Sequence, residues 1–230
     1  MKVQVLQHVA HEGLGNLEPW LSAAGAHIGW TRFHEPGAML PDSGGLDLVI
    51  ALGGPMSVHD AAGLPWLGAE QRWLGEAARA GRPVLGVCLG AQLLAAALGT
   101  PVRRAPQAEI GWFPVERVAA PDRDVCPWPE RAILLHWHGE TFDLPAGAVH
   151  LARSAACEQQ AFQWGPRAVG VQCHPEATAA TVASMVAHEA DDLLAGGPWV
   201  QDAATLAAPD PSREAAGAAA AAALLGFLLR

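Results

Sequence analysis

Short apolar runs closed by glycine or proline recur along this 230-residue chain, with stretches of helical repeat between them. Residues 3–9, 28–33, 46–52, 84–87, 133–140, 148–152, 161–164 and 169–173 have the length and apolar content of buried strands. Strand-like pieces also occur within 102–118, around Glu109 to Val115. A helix is expected near 20–24. Another covers 66–78, where Trp66, Leu67, Glu70, Trp73, Leu74, Ala77 and Ala78 recur at helical spacing and Gly81 closes the run. Residues 89–98 form a third, stopped by Gly99 and Pro101, and 177–194 a fourth. The stretch 121–129 reads as a loop. This alternation predicts an α/β fold, a mostly parallel central sheet flanked by helices.

The pattern changes after residue 194. Residues 1–194 read as one domain, and 195–230 as a linker followed by an Ala/Leu-rich helix, with Asp210 capping it and Pro211 at its first position. The stripe Leu224, Leu225, Leu228 and Leu229 must pack somewhere: on the same domain, or on a second copy as a homodimer contact.

Composition narrows the class. Hydrophobic residues make up 51% and charged ones 16%, which fits a folded chain with a large core. A net charge of −9, with no basic run longer than Arg103-Arg104, argues against a nucleic-acid partner. No apolar run is long enough to span a bilayer, and the start of the chain lacks signal-peptide features, so a membrane is not expected. The four cysteines form no CxxC pair, which points to a reducing, cytoplasmic setting.

The candidate chemistry lies at three strand ends. Gly86-Val87-Cys88-Leu89-Gly90 joins the run 84–87 to the helix at 89, a nucleophile elbow with sulfur in place of oxygen. The glycines give room at a sharp turn, and the helix start is expected to favour thiolate. The strand 169–173 leads into His174-Pro175-Glu176. In extended backbone, positions two apart face the same side, so Glu176 can hold the ring of His174. Thiol, base and orienter make a Cys-His-Glu triad. Gly53-Gly54-Pro55 follows a third strand and suits an oxyanion hole. Gly13-Leu14-Gly15 lacks the rest of a dinucleotide loop and reads as a turn. His136 and His138 find no third ligand at a suitable spacing, so no metal is expected.

Together these residues resemble the class I (triad) glutamine amidotransferase family, most closely stand-alone proteins similar to the glutaminase domain of GMP synthase. Cys88-Leu-Gly90-Ala-Gln92 resembles its nucleophile motif, Gly53-Gly54-Pro55 its oxyanion loop and His174-Pro175-Glu176 its His-Pro-Glu signature. His136-Trp-His138-Gly139-Glu140 resembles the segment that helps to hold the glutamine backbone end. The resemblance implies a flavodoxin-like fold and hydrolysis of the glutamine γ-amide through a γ-glutamyl thioester on Cys88. His174 acts as base and acid, Glu176 orients it, and the amides of Gly54 and Leu89 form the oxyanion hole. Gly53, Pro55, Gln92, His138, Gly139 and Glu140 surround the substrate. No cofactor is implied. The chain has no phosphate-cradling sequence, so the partner of a glutaminase would be a separate synthetase subunit that uses its ammonia. The alternative is an independent γ-glutamyl hydrolase or peptidase acting on small γ-glutamyl amides. A non-catalytic binding protein is disfavoured because every triad position is intact.

Overall fold

Alternation within the strands builds the layers. Leu48 and Ile50 of β3 (Leu48–Ala51) join one apolar cluster, and Val49 and Ala51 join another on the opposite face. Every side chain of this short strand is buried, as both faces of a central strand require. The computed structural model describes residues 1–119, 122 and 124–230, so the head of the loop expected at 121–129 lies outside the described residues.

Nine strands form one sheet among the described residues, in the order β2-β1-β3-β4-β9-β8-β7-β5-β6. β1 (Lys2–Gln7), β2 (His27–Arg32), β3, β4 (Val84–Val87) and β9 (Ala168–Val171) run parallel. β8 (Ala161–Trp164), β7 (Val149–Arg153), β5 (Val102–Arg117) and β6 (Arg131–Phe142) add an antiparallel half. The α/β class holds, with a mixed sheet. The pieces expected within 102–118 are one 16-residue strand, its register shifted between Arg104 and Glu109.

Helices cover both faces of the parallel half. α2 (Pro65–Arg79) and α3 (Leu89–Ala97) supply one apolar layer, and α1 (Leu17–Ala23) and α6 (Pro211–Leu228) the other. A smaller cluster places α4 (Ala179–His188) and α5 (Ala203–Ala207) over Ile110, Trp112, Leu135 and Trp137. No described helix is long and apolar enough to cross a membrane.

Three expectations change. The helix expected over 177–194 stops at His188 and gives way to a 3-10 turn over Ala190–Ala195. The side chains of Glu189 and Asp192 are drawn inward there, to His11 Nε2 at 2.8 Å and Trp137 Nε1 at 3.0 Å. The stretch read as a linker is pinned to β5: the Ile110 amide donates to Trp199 O at 2.8 Å, and the Trp112 amide to Gln201 Oε1 at 3.0 Å. The leucine stripe of α6 lies in the chain's own core, where Leu224, Leu225 and Leu228 are fully buried beside Leu17 and Leu21. Those three leucines are therefore taken up by their own chain, with Leu229 half-buried beside them.

α6 is thus structural. Leu224→Ala is expected to cost about 2–5 kcal/mol, as core truncations do, lowering the urea midpoint with little change in slope. An unchanged midpoint would contradict this packing.

Candidate active site

The parallel strands deliver the expected residues to one edge. β3 leads into Gly53, β4 into Cys88 and β9 into His174, and Val87 pairs with Val171, so the last two meet side by side. Ligands bind in such sheets at this carboxyl edge.

Cys88 has φ 50° and ψ −108°, the one positive φ outside glycine among the described residues. Three backbone contacts hold this strained turn. The Cys88 amide donates to Val171 O at 2.8 Å, the Gly90 amide to Leu52 O at 3.1 Å, and the Gln92 amide to Cys88 O at 3.0 Å. A Cβ on Gly86 would meet Gly90 O, and one on Gly90 would run into Ala51 O. Both glycines are therefore needed for close approach.

His174 Nδ1 donates to Glu176 Oε1 at 2.6 Å, and both side chains are almost wholly buried. The turn between them is clamped. The Asn16 amide donates to Glu176 O at 2.9 Å, and Asn16 Nδ2 to Pro175 O at 3.2 Å and Ala177 O at 2.8 Å. Gly15, at φ +44°, leaves space that a Cβ would take from the Glu176 carbonyl. Gly13-Leu14-Gly15 thereby serves as the seat of the His-Pro-Glu turn. On its other side Gly217 of α6 approaches Pro175 O.

Electrostatics split the expected pair. Burial pushes the Cys88 thiol up, against the pull of His174. The direction is opposite to the thiolate expected at the helix start. Burial also opposes charge on His174, but the Glu176 carboxylate and the sulfur outweigh it and raise the ring well above an ordinary histidine. A proton leaving the sulfur is drawn to a strengthened base. In the free protein Cys88 Sγ–H donates to Trp137 O at 3.7 Å, and His174 Nε2 has no partner.

The Gly53-Gly54-Pro55 loop has a support that the sequence did not reveal. His8 Nδ1 donates to Gly53 O at 2.8 Å, and Nε2 donates to Glu70 of α2 at 2.9 Å. With both nitrogens donating, the ring is an imidazolium: burial resists the charge, but Glu70 holds the ring above its ordinary value. Fixing Gly53 O toward His8 turns the Gly54 N–H of the same trans peptide the other way. Neither Gly54 nor Leu89 donates its amide to any described group.

A cavity of about 580 Å³ collects Gly54, Pro55, Cys88, Gln92, Gly139 and Glu140, together with His138 and His174. Gln92 Nε2 donates to Gln172 Oε1 at 3.1 Å, and Gln172 Nε2 to Cys88 Sγ at 3.5 Å, so Gln172 is a further neighbour of the sulfur. Ser57 Oγ donates to the Glu140 carboxylate at 2.9 Å. Gly53, Leu89 and Glu176 stand behind the cavity wall and act on it through the groups just described.

The chain and its fold have known counterparts. Residues 17–191 match the family described as glutamine amidotransferase class-I. The chain belongs to the class I glutamine amidotransferase family. A glutamine amidotransferase-like protein YfeJ of Salmonella typhimurium is 32% identical over 198 residues, covering 84% of this chain and 83% of the relative. A GMP synthase of Thermomicrobium roseum is 39% identical over 142 residues, 60% of this chain but 25% of that protein. The crystal structure of a glutamine amidotransferase from Thermotoga maritima superposes with a TM-score of 0.87 at 30% identity, covering 100% of this chain and 98% of that one. One from Methylobacillus flagellatus reaches 0.89 at 29% identity, over 99% and 94% of the two chains.

Among the described residues, two clusters could hold a cation. Glu109, His136 and His138 have ligand atoms within 4.8 Å of one another, the third ligand coming from β5, where Glu109 pairs with His138 across the strands. Spacing along one strand could not reveal it. Glu109 Oε2 accepts from Ser154 Oγ at 3.0 Å and Gln160 Nε2 at 2.8 Å, while Glu109 Oε1 and both ring nitrogens of His136 have no hydrogen-bond partner among the described residues. Burial opposes the Glu109 charge, but His136 and His138 hold its carboxyl well below the usual range. His138 Nδ1 donates to Glu140 O at 2.9 Å while Nε2 faces Glu109 at 3.2 Å. Both of its nitrogens are thus engaged inside the protein, and it shapes the wall from behind. The second cluster is His11, Glu12 and Glu189, at the cavity.

Burial first, then Glu189 and Glu176, push the Glu12 carboxyl up to about 7, against the pull of His174. Its folded value is raised, so the native state holds this proton more tightly than the unfolded chain. The resulting stability is complete below about pH 4.5 and lost as pH rises through about 7. Glu12→Gln removes that loss. Its advantage over the parent in urea denaturation should grow by up to about 3 kcal/mol from pH 4.5 to pH 8; a difference independent of pH would contradict the assignment.

Proposed function

We propose that this chain hydrolyses the γ-amide of glutamine or of a small γ-glutamyl compound, through Cys88, His174 and Glu176. The observation that carries the reading is the cysteine on a strained turn beside a buried, carboxylate-backed histidine, at the mouth of a substrate-sized cavity.

Cys88 gives its proton to His174 Nε2, and the sulfur attacks the amide carbonyl. The oxyanion is met by the amides of Gly54 and Leu89, one aimed by His8 and the other free at the start of α3. The C–N bond breaks as His174 returns the proton to the leaving nitrogen, and a γ-glutamyl thioester remains. Water, deprotonated by His174, releases glutamate and restores the thiol. Gln92, Gly139 and Glu140 lie on the cavity wall that would hold the amino-acid end of the substrate. With glutamine the product is ammonia, and a separate synthetase subunit is the partner that would use it.

Glutamate release by the purified protein tests this. Cys88→Ser should abolish turnover. His174→Ala should lower it by about 10²–10⁴-fold, and Glu176→Gln by less, because Gln can still accept from Nδ1. Full activity in Cys88→Ser would overturn the nucleophile, and the reverse ranking of the other two would overturn their roles.

A further inference from the structure

The hydrolysis reading leaves open what is attached to the γ-glutamyl group, and the charges on the cavity wall bear on that. Among the described residues five acidic side chains belong to its lining, Glu12, Glu140, Glu189, Asp191 and Asp192, against Arg104 and the histidines His138 and His174. Glu140 is occupied by Ser57, Glu189 by His11 and Asp192 by Trp137. Glu12 differs. It is 5% exposed, and its Oε2 has no hydrogen-bond partner. The Gln7 side chain holds its backbone carbonyl at 2.9 Å, which fixes the loop that carries it. A buried acceptor left unmade is costly, and another carboxylate nearby adds to the cost. A cation brought by the ligand would remove both penalties.

The position of Glu12 says which end of the ligand would carry the cation. A Cβ on Gly53 would strike Glu12 Oε2 and press on His174 Cε1, so the free oxygen lies beside the edge of the His174 ring. His174 delivers its proton to the leaving nitrogen, so the leaving amine occupies the same neighbourhood. Ammonia, the leaving group from glutamine, makes no use of the carboxylates. An anionic leaving group would be repelled by them.

Resting on the hydrolysis reading, we propose that the substrate is a γ-glutamyl amide of an aliphatic diamine or polyamine, whose distal ammonium is read by Glu12 with Glu189 beside it. Cleavage follows the route above. The sulfur–carbon bond forms, the C–N bond breaks, the proton from His174 goes to the leaving nitrogen, and water then releases glutamate. The free diamine is the second product.

The test compares three γ-glutamyl amides of matched length on the wild-type protein: 4-aminobutyl, butyl and 3-carboxypropyl. A charge-assisted contact should favour the 4-aminobutyl amide over the butyl amide in kcat/KM by about tenfold or more. The 3-carboxypropyl amide should be the poorest. The cationic-to-neutral ratio should fall toward one in Glu12→Gln, whatever that variant does to the absolute rates. Equal rates for the cationic and neutral amides, or a preference for the anionic one, would overturn the proposal while leaving hydrolysis intact. Should none of the three be turned over, hydrolysis itself fails and calorimetry on Cys88→Ser decides the cation site alone. Saturable binding of the 4-aminobutyl amide, beyond that of the butyl amide, supports it; equal or absent binding overturns it. Stoichiometric Zn²⁺ binding that is lost in Glu12→Gln, with no preference for the cationic amide, would give these carboxylates to a metal and also overturn it.

Discussion

The left-handed backbone of Cys88 is the constraint on which the rest depends. A non-glycine residue at φ 50° is held at an energetic cost on the order of 1–3 kcal/mol, and the surroundings must impose it. They do so through the sheet. β9 receives the Cys88 amide, the end of β3 receives the Gly90 amide, and α3 packs so close that only glycine fits at 86 and 90. The reward is a sulfur raised off the strand edge, at the start of a helix whose first amide is free.

The remaining supports converge on the same edge from elements distant in the chain. α2 reaches the Gly53-Gly54-Pro55 loop through Glu70 and His8, so a helix that looks like simple packing also aims a peptide bond. The turn at 13–16 and the small residues of α6 grip the His-Pro-Glu turn from two sides. Bulk at Gly217 would push against Pro175 O. The tail belongs to the support of the site as much as to the core.

Local patterns made much of this legible. Short apolar runs and the residues that close them located nearly every strand, and Gly86-Val-Cys88-Leu-Gly90 with His174-Pro175-Glu176 pointed to one crevice. What stayed hidden depends on partners far apart in sequence. Glu109 is invisible as a companion of His138 until β5 pairs with β6. Glu70 looks like an ordinary position of an amphipathic helix until its carboxylate meets His8. Glu12 sits in a short loop with no motif around it. The fraying of the helix after His188 and the docking of 199–201 on β5 are tertiary effects too, set by hydrogen bonds to Trp137, Trp112 and Ile110 that no local propensity encodes. The thiol is a case of competition: the helix start favours thiolate, but burial prevails.

Hydrolysis through Cys88 requires a covalent γ-glutamyl intermediate on the sulfur, and the most direct measurement is acid-quenched mass spectrometry during turnover of a γ-glutamyl amide, with peptide mapping. A γ-glutamyl adduct confined to the peptide containing Cys88, discharged as substrate is exhausted, is the predicted result. Turnover with Cys88 unmodified throughout, and undiminished when Cys88 is replaced by alanine, would contradict it.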